Sequence, residues 1–258
     1  MADTPDALET GSVDTEIRTL DITDEERIDR FKEAGYGGNV SDVLAELDIE
    51  ETVLSSEFTP LRQGMKLAGR VLPVKLHSQV MNDETESFLE ERWEREGGHP
   101  QKRMMETISE RPDGTVLCFD CGGDMQPAQF GEMSCQLAYS EGCRGMLVAG
   151  NMRDTQYVLQ MDDFPAYSYG TTPNAFGGWV ITQVNKPIHL EGHLTHYVEV
   201  HPGDFVFADN DGAQIIPEAV VDEVLLRVEE IYEKENEERE RIAQGMSIDE
   251  VYDEYGVL

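Results

Sequence analysis

Two short segments of the sequence combine glycine, carboxylates and a cation where secondary-structure elements are expected to begin or end. Arg153 and Asp154 follow the apolar run 145–149 and a Gly-Asn pair. Gly131 and Glu132 open the segment GEMSCQLAYSEG, which predicts a helix. Helix N-termini and guanidinium groups bind anions, and paired carboxylates hold hard divalent cations directly or through water.

The two segments are expected to meet because neighbouring parallel strands end at one edge of an α/β sheet, where ligands usually bind. Arg153 and backbone amides would then hold a carboxylate, while Asp154 and Glu132 would hold a cation. An alternative stays open from the pattern alone. In it, Glu132 only caps its helix, and Arg153 and Asp154 form an exposed ion pair that contributes little stability.

The spacing of cysteines and histidines does not predict a metal centre. Cys118 and Cys121 form a single C-x-x-C, whereas a structural zinc site needs four ligands in compact pairs. The four cysteines of the chain are therefore interpreted as buried or spare thiols. In a strand, His193 and His196 would point to opposite faces, so the histidines of this region are interpreted as strand-surface residues.

The composition limits the partners that the chain can have. Its 258 residues include 53 acidic and 20 basic side chains, for a net charge of −33. Such a surface repels nucleic acid and anionic membranes, so neither is an expected partner. Since 39% of the residues are hydrophobic, the acidity indicates adaptation to high salt rather than disorder. The absence of a signal-like N-terminus and of a long apolar run favours a cytoplasmic protein.

The order of the predicted elements is typical of an α/β fold with a largely parallel sheet. Helices are predicted over 24–34 and after a cap at Ser41, and a strand over 67–76 whose central proline suggests an edge or a bulge. The middle of the chain predicts these elements in order: a polar excursion over 78–100 with a short helix around Phe88, a helix over 101–109, a strand over 115–120, a helix closed by Gly142, a strand over 145–149, a helix over 155–164 and a strand over 165–170. Short strands follow Trp179, and a charged helix begins at Glu218.

The segment GEMSCQLAYSEGCRGMLVAGNMRD, from Gly131 to Asp154, is similar to G-[DE]-L/M-x-x-x-A…G-x-x-G-x-V-x-D-G-x-x-R-D of the RraA-like family. GNVSDVL resembles the family's T-V-S-D-A-L, and HPGDFVFADNDGAQIIP resembles its R-P-G-D-x-V-V-A-D-x-D-G-V-V-V-P. This resemblance extends over roughly residues 24–258. The family includes class II pyruvate aldolases acting on 4-hydroxy-4-methyl-2-oxoglutarate and regulators of RNase E activity.

The resemblance implies a swivelling β/β/α-type domain that forms homotrimers or homohexamers with active sites between subunits. This RraA-like domain is predicted over residues 21–217, with an insertion at 78–100. An acidic flexible tail is predicted over 1–20, and a charged helical extension over 218–258.

The resemblance also implies roles for individual residues. In the family's aldolases the aspartate after the arginine ligates Mg²⁺ or Mn²⁺, a position that Asp154 holds here. Arg153 would bind the substrate and stabilise an enolate, and Glu132 would hold a metal-bound water. The substrate-binding set combines that guanidinium with the start of the helix: Gly131, Met133, Ser134 and Arg153.

The expected function is that of a divalent-metal-dependent lyase acting on a small 2-oxo acid. It would cleave a 4-hydroxy-2-oxo acid to pyruvate by a retro-aldol reaction and decarboxylate oxaloacetate as a side activity. The sequence departs from the family by Glu132 in place of aspartate, and by the 78–100 insertion in place of a short P-G-D-N loop. Two alternatives stay open: a lyase or dehydratase acting on a sugar-derived 2-oxo acid, and a non-catalytic regulator.

Overall fold

A computed structural model describes residues 17–79, 81–111, 114–175 and 178–255. Within these ranges nine strands form one sheet: β1 Thr59–Pro60, β2 Leu67–Ser78, β3 Thr115–Asp120, β4 Ala128–Phe130, β5 Cys143–Met152, β6 Ala166–Thr171, β7 Trp179–Val184, β10 Phe205–Asp209 and β11 Gly212–Ile216. A separate hairpin contains β8 Ile188–Glu191 and β9 Tyr197–Val200. The helices are α1 Asp24–Ala34, α2 Gly37–Glu46, α3 Asp83–Arg95, α4 Pro100–Ser109, α5 Glu132–Ser140, α6 Thr155–Val158, α7 Val221–Ala243 and α8 Ile248–Tyr255, with a 3₁₀ turn at Glu218–Val220 before α7.

The main sheet has a parallel centre and antiparallel edges. Its strand order is β1-β6-β5-β3-β2-β10-β11, with β4 on β5 and β7 on β2. β2, β3, β5 and β6 are parallel, whereas β1, β7, β10 and β11 pair in the antiparallel sense. The central strands are apolar along their length because both of their faces are covered. The predicted α/β fold is confirmed.

The proline of β2 marks a change of neighbour along one side of a central strand. β2 pairs with β10 up to Arg70 and with β7 from Val74 onward, so Pro73 lies between the two pairings. A proline can occupy this position because it has no N–H to donate to either neighbour. The edge interpretation is wrong, and a bulge follows between Lys75 and Leu76.

Three apolar clusters hold the sheet, the hairpin and the helices together. One lies between the sheet and helices α4 and α5, with Ile108 and Ala138 buried. The second contains Leu190 of the β8–β9 hairpin and the other sheet face. The third joins α1, α2 and α7 to β10 through residues such as Phe207 and Val224. The first half of the predicted C-terminal extension therefore belongs to a core cluster.

Charged contacts attach the N-terminal segment to α7. Arg18 donates to Glu223 and Glu230 at 2.8 and 2.7 Å, and the Leu20 N–H donates to Asp222 at 2.9 Å. Residues 17–20, which the sequence assigns to the flexible tail, are thus attached to a core helix, and residues 1–16 lie outside the described ranges. No helix in those ranges is both long and apolar enough to cross a bilayer.

Two predicted helices differ from the observed ones. Ser41 does not cap α2, which already begins at Gly37. Its start is fixed by Asn39, whose side chain accepts from the Tyr36 N–H at 2.9 Å, and by Asp209, which accepts from the Gly37 N–H at 2.8 Å. The helix predicted over 155–164 ends at Val158, before a turn that is followed by proline.

Candidate active site

Strands β4 and β5 bring the two chemically suggestive segments side by side. The strands are parallel, with Phe130 opposite Met152, so Gly131 and Arg153 both follow at the same edge. The Arg153 N–H donates to the Phe130 carbonyl at 3.0 Å, which continues the pairing beyond the strands. The convergence expected from strand order is therefore present in the fold.

The space around Gly131 explains why this position has no side chain. A Cβ atom built there would lie 2.7 Å from Asp154 Oδ2 and 3.0 Å from Arg153 Nε. The backbone φ of −123° suits any residue, so the requirement for glycine comes from the close approach rather than from conformation. Gly131 thus lets an aspartate and an arginine lie against the start of α5.

Asp154 has an unusual backbone conformation and a carboxylate that does not cap the helix that follows it. Its φ of 56° is left-handed, which costs free energy for a residue with a side chain and often marks a functional position. It precedes α6, yet its side chain accepts no capping hydrogen bond there. Oδ2 lies 3.4 Å from Arg153 Nε, and the two side chains are 47% and 40% exposed. The pair is thus accessible to a ligand and to water.

The N-terminus of α5 offers fewer free amides than the sequence suggested. The Ser134 N–H donates to the Gly131 carbonyl at 3.1 Å, so it is already used within the first turn. Within the described ranges, the Met133 N–H and the Glu132 carboxylate have no hydrogen-bond partner. Of the two predicted amides, the one at Met133 is free to bind an anion.

The carboxylates of Glu132 and Asp154 affect the pKa of Cys135, a buried thiol of α5. Burial raises the pKa of Cys135, and the neighbouring Cys143, Glu132 and Asp154 raise that pKa further. The cysteines are free and buried, as predicted: Cys118, Cys121, Cys135 and Cys143.

A cavity of about 360 Å³ opens beside these residues. Gly131, Ser134 and Arg153 line one side of it. The side chains of Glu132, Met133 and Asp154 are outside its lining, and that of Met133 is 76% exposed. Of Arg153 and Asp154, it is therefore Arg153 that reaches the cavity.

A second wall comes from the 78–100 insertion, the start of α4 and β7, which pairs with β2 on the other side of β3 from β4 and β5. The insertion contains the helix predicted around Phe88, which is α3, and a short connection leads from α3 to α4. Residues that the sequence analysis did not single out line this wall: Met81, Trp93, His99, Gln101, Trp179 and Ile181. No local sequence pattern indicates their position, because the insertion contacts β7 across about ninety residues of chain, as in the 3.2 Å hydrogen bond from Arg92 to the Thr182 carbonyl.

Two buried amide residues, Gln129 and Asn151, hold the backbone beside the cavity, and no sequence pattern indicated this role. The Gln129 side chain, which lines the cavity, donates to the Asp124 carbonyl at 2.8 Å and accepts from the Asn151 N–H at 2.8 Å. The Asn151 side chain donates to the Met125 carbonyl at 2.6 Å. Both amide residues are 4% exposed, so they fix the loop after β3 against β5.

The carboxylates of Asp154 and Glu132 suit a hard cation that keeps most of its water ligands, rather than a metal site in which the protein supplies every ligand. No group of three potential metal ligands occurs among the described residues. The described histidines belong to no such group either. His193 and His196 lie in the loop between β8 and β9 rather than in the predicted strand. Asp154 is half-exposed, and Mg²⁺ keeps several waters when one or two carboxylates bind it. These residues therefore fit Mg²⁺ or Mn²⁺, but not a four-ligand zinc site.

The fold and this edge-of-sheet site define a mixed α/β protein with an Arg-Asp pair beside a helix N-terminus. The profile of the RraA-like family, described as Aldolase/RraA, matches residues 38–215. The chain therefore belongs to the RraA-like family.

Two relatives carry aldolase names. A putative 4-hydroxy-4-methyl-2-oxoglutarate aldolase of Halalkalibacterium halodurans is 30% identical over 138 residues, which are 54% of this chain and 62% of that protein. A 4-hydroxy-4-methyl-2-oxoglutarate aldolase of Thermus thermophilus is 31% identical over 115 residues, which are 45% of this chain and 66% of that protein. The chain thus spans less than two thirds of the length of either relative.

Solved structures share the fold. One is described as belonging to novel cellulases from microbes associated with the gut ecosystem. It has a TM-score of 0.70 and 26% identity, and the match covers 85% of this chain and 90% of the matched chain. RraAS2 of Streptomyces coelicolor, described as an unusual member of the RNase ES inhibitor RraA family, has a TM-score of 0.65 and 22% identity over 85% of this chain and all of its own.

Proposed function

We propose that the protein is a divalent-metal-dependent lyase that cleaves a 4-hydroxy-2-oxo acid and releases pyruvate. The observation that carries the proposal is the position of Arg153, which lines the cavity while its Nε lies 3.4 Å from the half-exposed Asp154 carboxylate. The aldolase names of the two relatives support the same reaction class. The subunit arrangement that goes with this proposal is a trimer or hexamer.

The chain's own residues would hold the substrate at its carboxylate end. The Met133 N–H is free at the start of α5, and the Ser134 side chain lines the cavity beside it. The Arg153 guanidinium would pair with the same carboxylate or with the adjacent keto oxygen. Asp154, with Glu132 acting through water, would hold Mg²⁺ or Mn²⁺, which supplies Lewis-acid stabilisation of the negative charge formed on the 2-oxo group.

The reaction breaks the bond between C3 and C4 of the substrate. The C4 hydroxyl proton leaves, C4 becomes a carbonyl carbon, and the bonding electrons form the enolate of pyruvate. Arg153 places a fixed positive charge where that negative charge develops. Glu132 would receive the hydroxyl proton through water and return a proton to C3, which completes pyruvate. Loss of CO₂ from oxaloacetate gives the same enolate, so the same groups would support decarboxylation.

The test is pyruvate release from 4-hydroxy-4-methyl-2-oxoglutarate and from oxaloacetate at high salt, with Mg²⁺, Mn²⁺ or EDTA. We expect metal-dependent pyruvate that falls about 10²–10³-fold in Arg153→Ala, because that change removes a charge directed at the developing oxyanion. Arg62→Ala is the matched control, since Arg62 is exposed and lies outside the cavity lining. Absence of pyruvate from both dicarboxylates with every metal excludes them as substrates. If no other 2-oxo acid binds either, the lyase proposal is wrong and the protein is a non-catalytic regulator.

A further inference from the structure

The cavity has two chemically different ends. Arg153 and the start of α5 follow strands β5 and β4, whereas β7 pairs with β2 on the other side of β3. The lining residues near Arg153 therefore form a cationic end, and those of β7 and the 78–100 insertion form an aromatic and apolar end. The apolar end contains Trp93 of α3 together with Trp179 and Ile181 of β7. A ligand bound through its carboxylate to Arg153 would therefore extend its other end toward two indole rings.

The insertion wall is fixed to the body of the protein. The Trp93 ring packs edge-on against His99, with centroids 4.5 Å apart. His99 in turn accepts from the Gln101 N–H at 3.2 Å and so caps α4. α4 is anchored by Met104 and Ile108, which are 0% and 1% exposed. Trp93 is thus held by a packed helix pair rather than by a loose loop.

Among the described residues, the apolar end has no lysine or arginine to bind a second carboxylate. Among the described lining residues, Arg153 alone carries a fixed positive charge. Arg92 of the insertion and Arg103 of α4 are already paired, because they donate to Glu96 at 2.8 and 3.0 Å. These hydrogen bonds, led by that of Arg92, lower the pKa of Glu96. The net charge of −33 adds a general repulsion of dianions.

We propose that this apolar end, which we call the distal subsite and define by Trp93, Trp179 and Ile181, binds an uncharged carbon chain of the substrate. The inference rests on the proposed lyase function and narrows its substrate class. The preferred substrate is a 4-hydroxy-2-oxo acid with a single carboxylate and an extended, uncharged group at C4. Cleavage between C3 and C4 then gives pyruvate and an aliphatic or aryl aldehyde, with the hydroxyl proton transferred to C3.

Binding of stable 2-oxo acids tests the subsite without turnover. Affinities of pyruvate, 2-oxohexanoate and 2-oxoadipate are measured by calorimetry with Mg²⁺ at high salt; the last two have equal chain length and differ by a terminal methyl or carboxylate. We expect 2-oxohexanoate to bind roughly tenfold or more tightly than pyruvate, because it buries extra methylene groups. 2-Oxoadipate is expected to lose most of that gain. Both tryptophans of the chain line the cavity, so their fluorescence should change with 2-oxohexanoate.

Two variants separate the ends of the cavity. In Trp93→Ala, 2-oxohexanoate affinity should fall to about that of pyruvate, while unchanged pyruvate affinity shows that the fold persists. Phe88→Ala is the control on the same helix, because Phe88 is 59% exposed and outside this cavity lining. Arg153→Ala should abolish binding of all three acids.

The outcomes distinguish the two proposals. If pyruvate binds but 2-oxohexanoate binds no better, or if 2-oxoadipate binds equally well, the distal subsite is wrong and the lyase proposal stands. Unchanged 2-oxohexanoate affinity in Trp93→Ala, or no fluorescence response to it, also overturns the subsite. If no 2-oxo acid binds the unaltered protein, the lyase proposal itself fails.

Discussion

Arg153 Nε lies 3.4 Å from Asp154 Oδ2, and both atoms occupy the space that a side chain on Gly131 would need at the start of α5. The pair is held by backbone geometry. The Arg153 N–H bonds the end of β4, and Asp154 has a left-handed conformation that turns its carboxylate away from capping α6. Such an arrangement costs free energy locally and orients the two side chains toward each other and toward α5.

Gly131→Ala should damage the site without unfolding the protein. The new Cβ would lie 2.7 Å from Asp154 Oδ2, so the carboxylate must move away from Arg153. Since the φ of −123° suits alanine, the unfolding free energy should change by only about 1 kcal/mol, as for a lost helix cap. We expect pyruvate release to fall by roughly 10²-fold, as misplaced catalytic groups do. Unchanged turnover in a folded Gly131→Ala protein would show that the close approach has no role in catalysis.

Asp154→Asn should remove the metal dependence and leave the backbone intact. Asparagine tolerates left-handed φ, so the unfolding free energy should change by less than about 1 kcal/mol. Affinity for Mn²⁺, measured by titration, should fall by at least roughly tenfold because the anionic ligand is lost. Asp163→Asn is the matched control, since Asp163 also has a positive φ of 42° and an ion pair, with Lys32 at 2.7 Å. Equal Mn²⁺ affinity in Asp154→Asn and in the control would exclude Asp154 as the ligand.

Arg153→Lys should retain only part of the function of the guanidinium. Lysine keeps the positive charge but replaces the planar fork with a single ammonium group, so two-point binding of a carboxylate is lost. We expect kcat/KM for pyruvate release to lie between that of the unaltered protein and that of Arg153→Ala, roughly 10–10²-fold below the former. Full activity in the lysine variant would mean that Arg153 acts through charge alone.

The sequence was sufficient for much of the fold because many signals are local. The acidic first turn of α1 and the apolar run of β3 predict both elements at their observed bounds, and the apolar run 145–149 predicts the centre of β5. The same reasoning predicted that Gly131 and Arg153 would meet, because it depends only on the parallel order of neighbouring strands.

Other features depend on distant contacts that no local pattern contains. The start of α2 is set partly by Asp209, which lies more than 170 residues away in the chain. The cavity wall depends on α3 contacting β7, and the burial of Gln129 depends on Asn151 of another strand. Local propensity could not indicate that Trp93 and Trp179 face the same space as Arg153.

The attachment of α7 to the N-terminal segment predicts a loss of stability in acid. The hydrogen bond from Arg18, aided by one from Arg227, lowers the pKa of Glu223 from 4.5 to about 2. Because the folded-state pKa lies below the unfolded value, this carboxylate stabilises the fold fully above about pH 4.5, and the contribution is lost as the pH falls toward 2. Glu223 is 2% exposed, so Glu223→Gln should cost about 1–3 kcal/mol at neutral pH.

Urea unfolding of the unaltered protein and of Glu223→Gln at about pH 7 and about pH 3 measures this contribution. The difference in unfolding free energy between the two proteins should shrink at the lower pH, because the unaltered carboxylate then gains its proton on unfolding. Comparing the two proteins cancels the effect of the other acidic residues, whose mutual repulsion is relieved in acid. Glu237→Gln on the same helix is the control, since Glu237 is exposed and has no ion pair within the described ranges. A pH-independent difference for Glu223→Gln would show that packing, not charge, makes this residue stabilising.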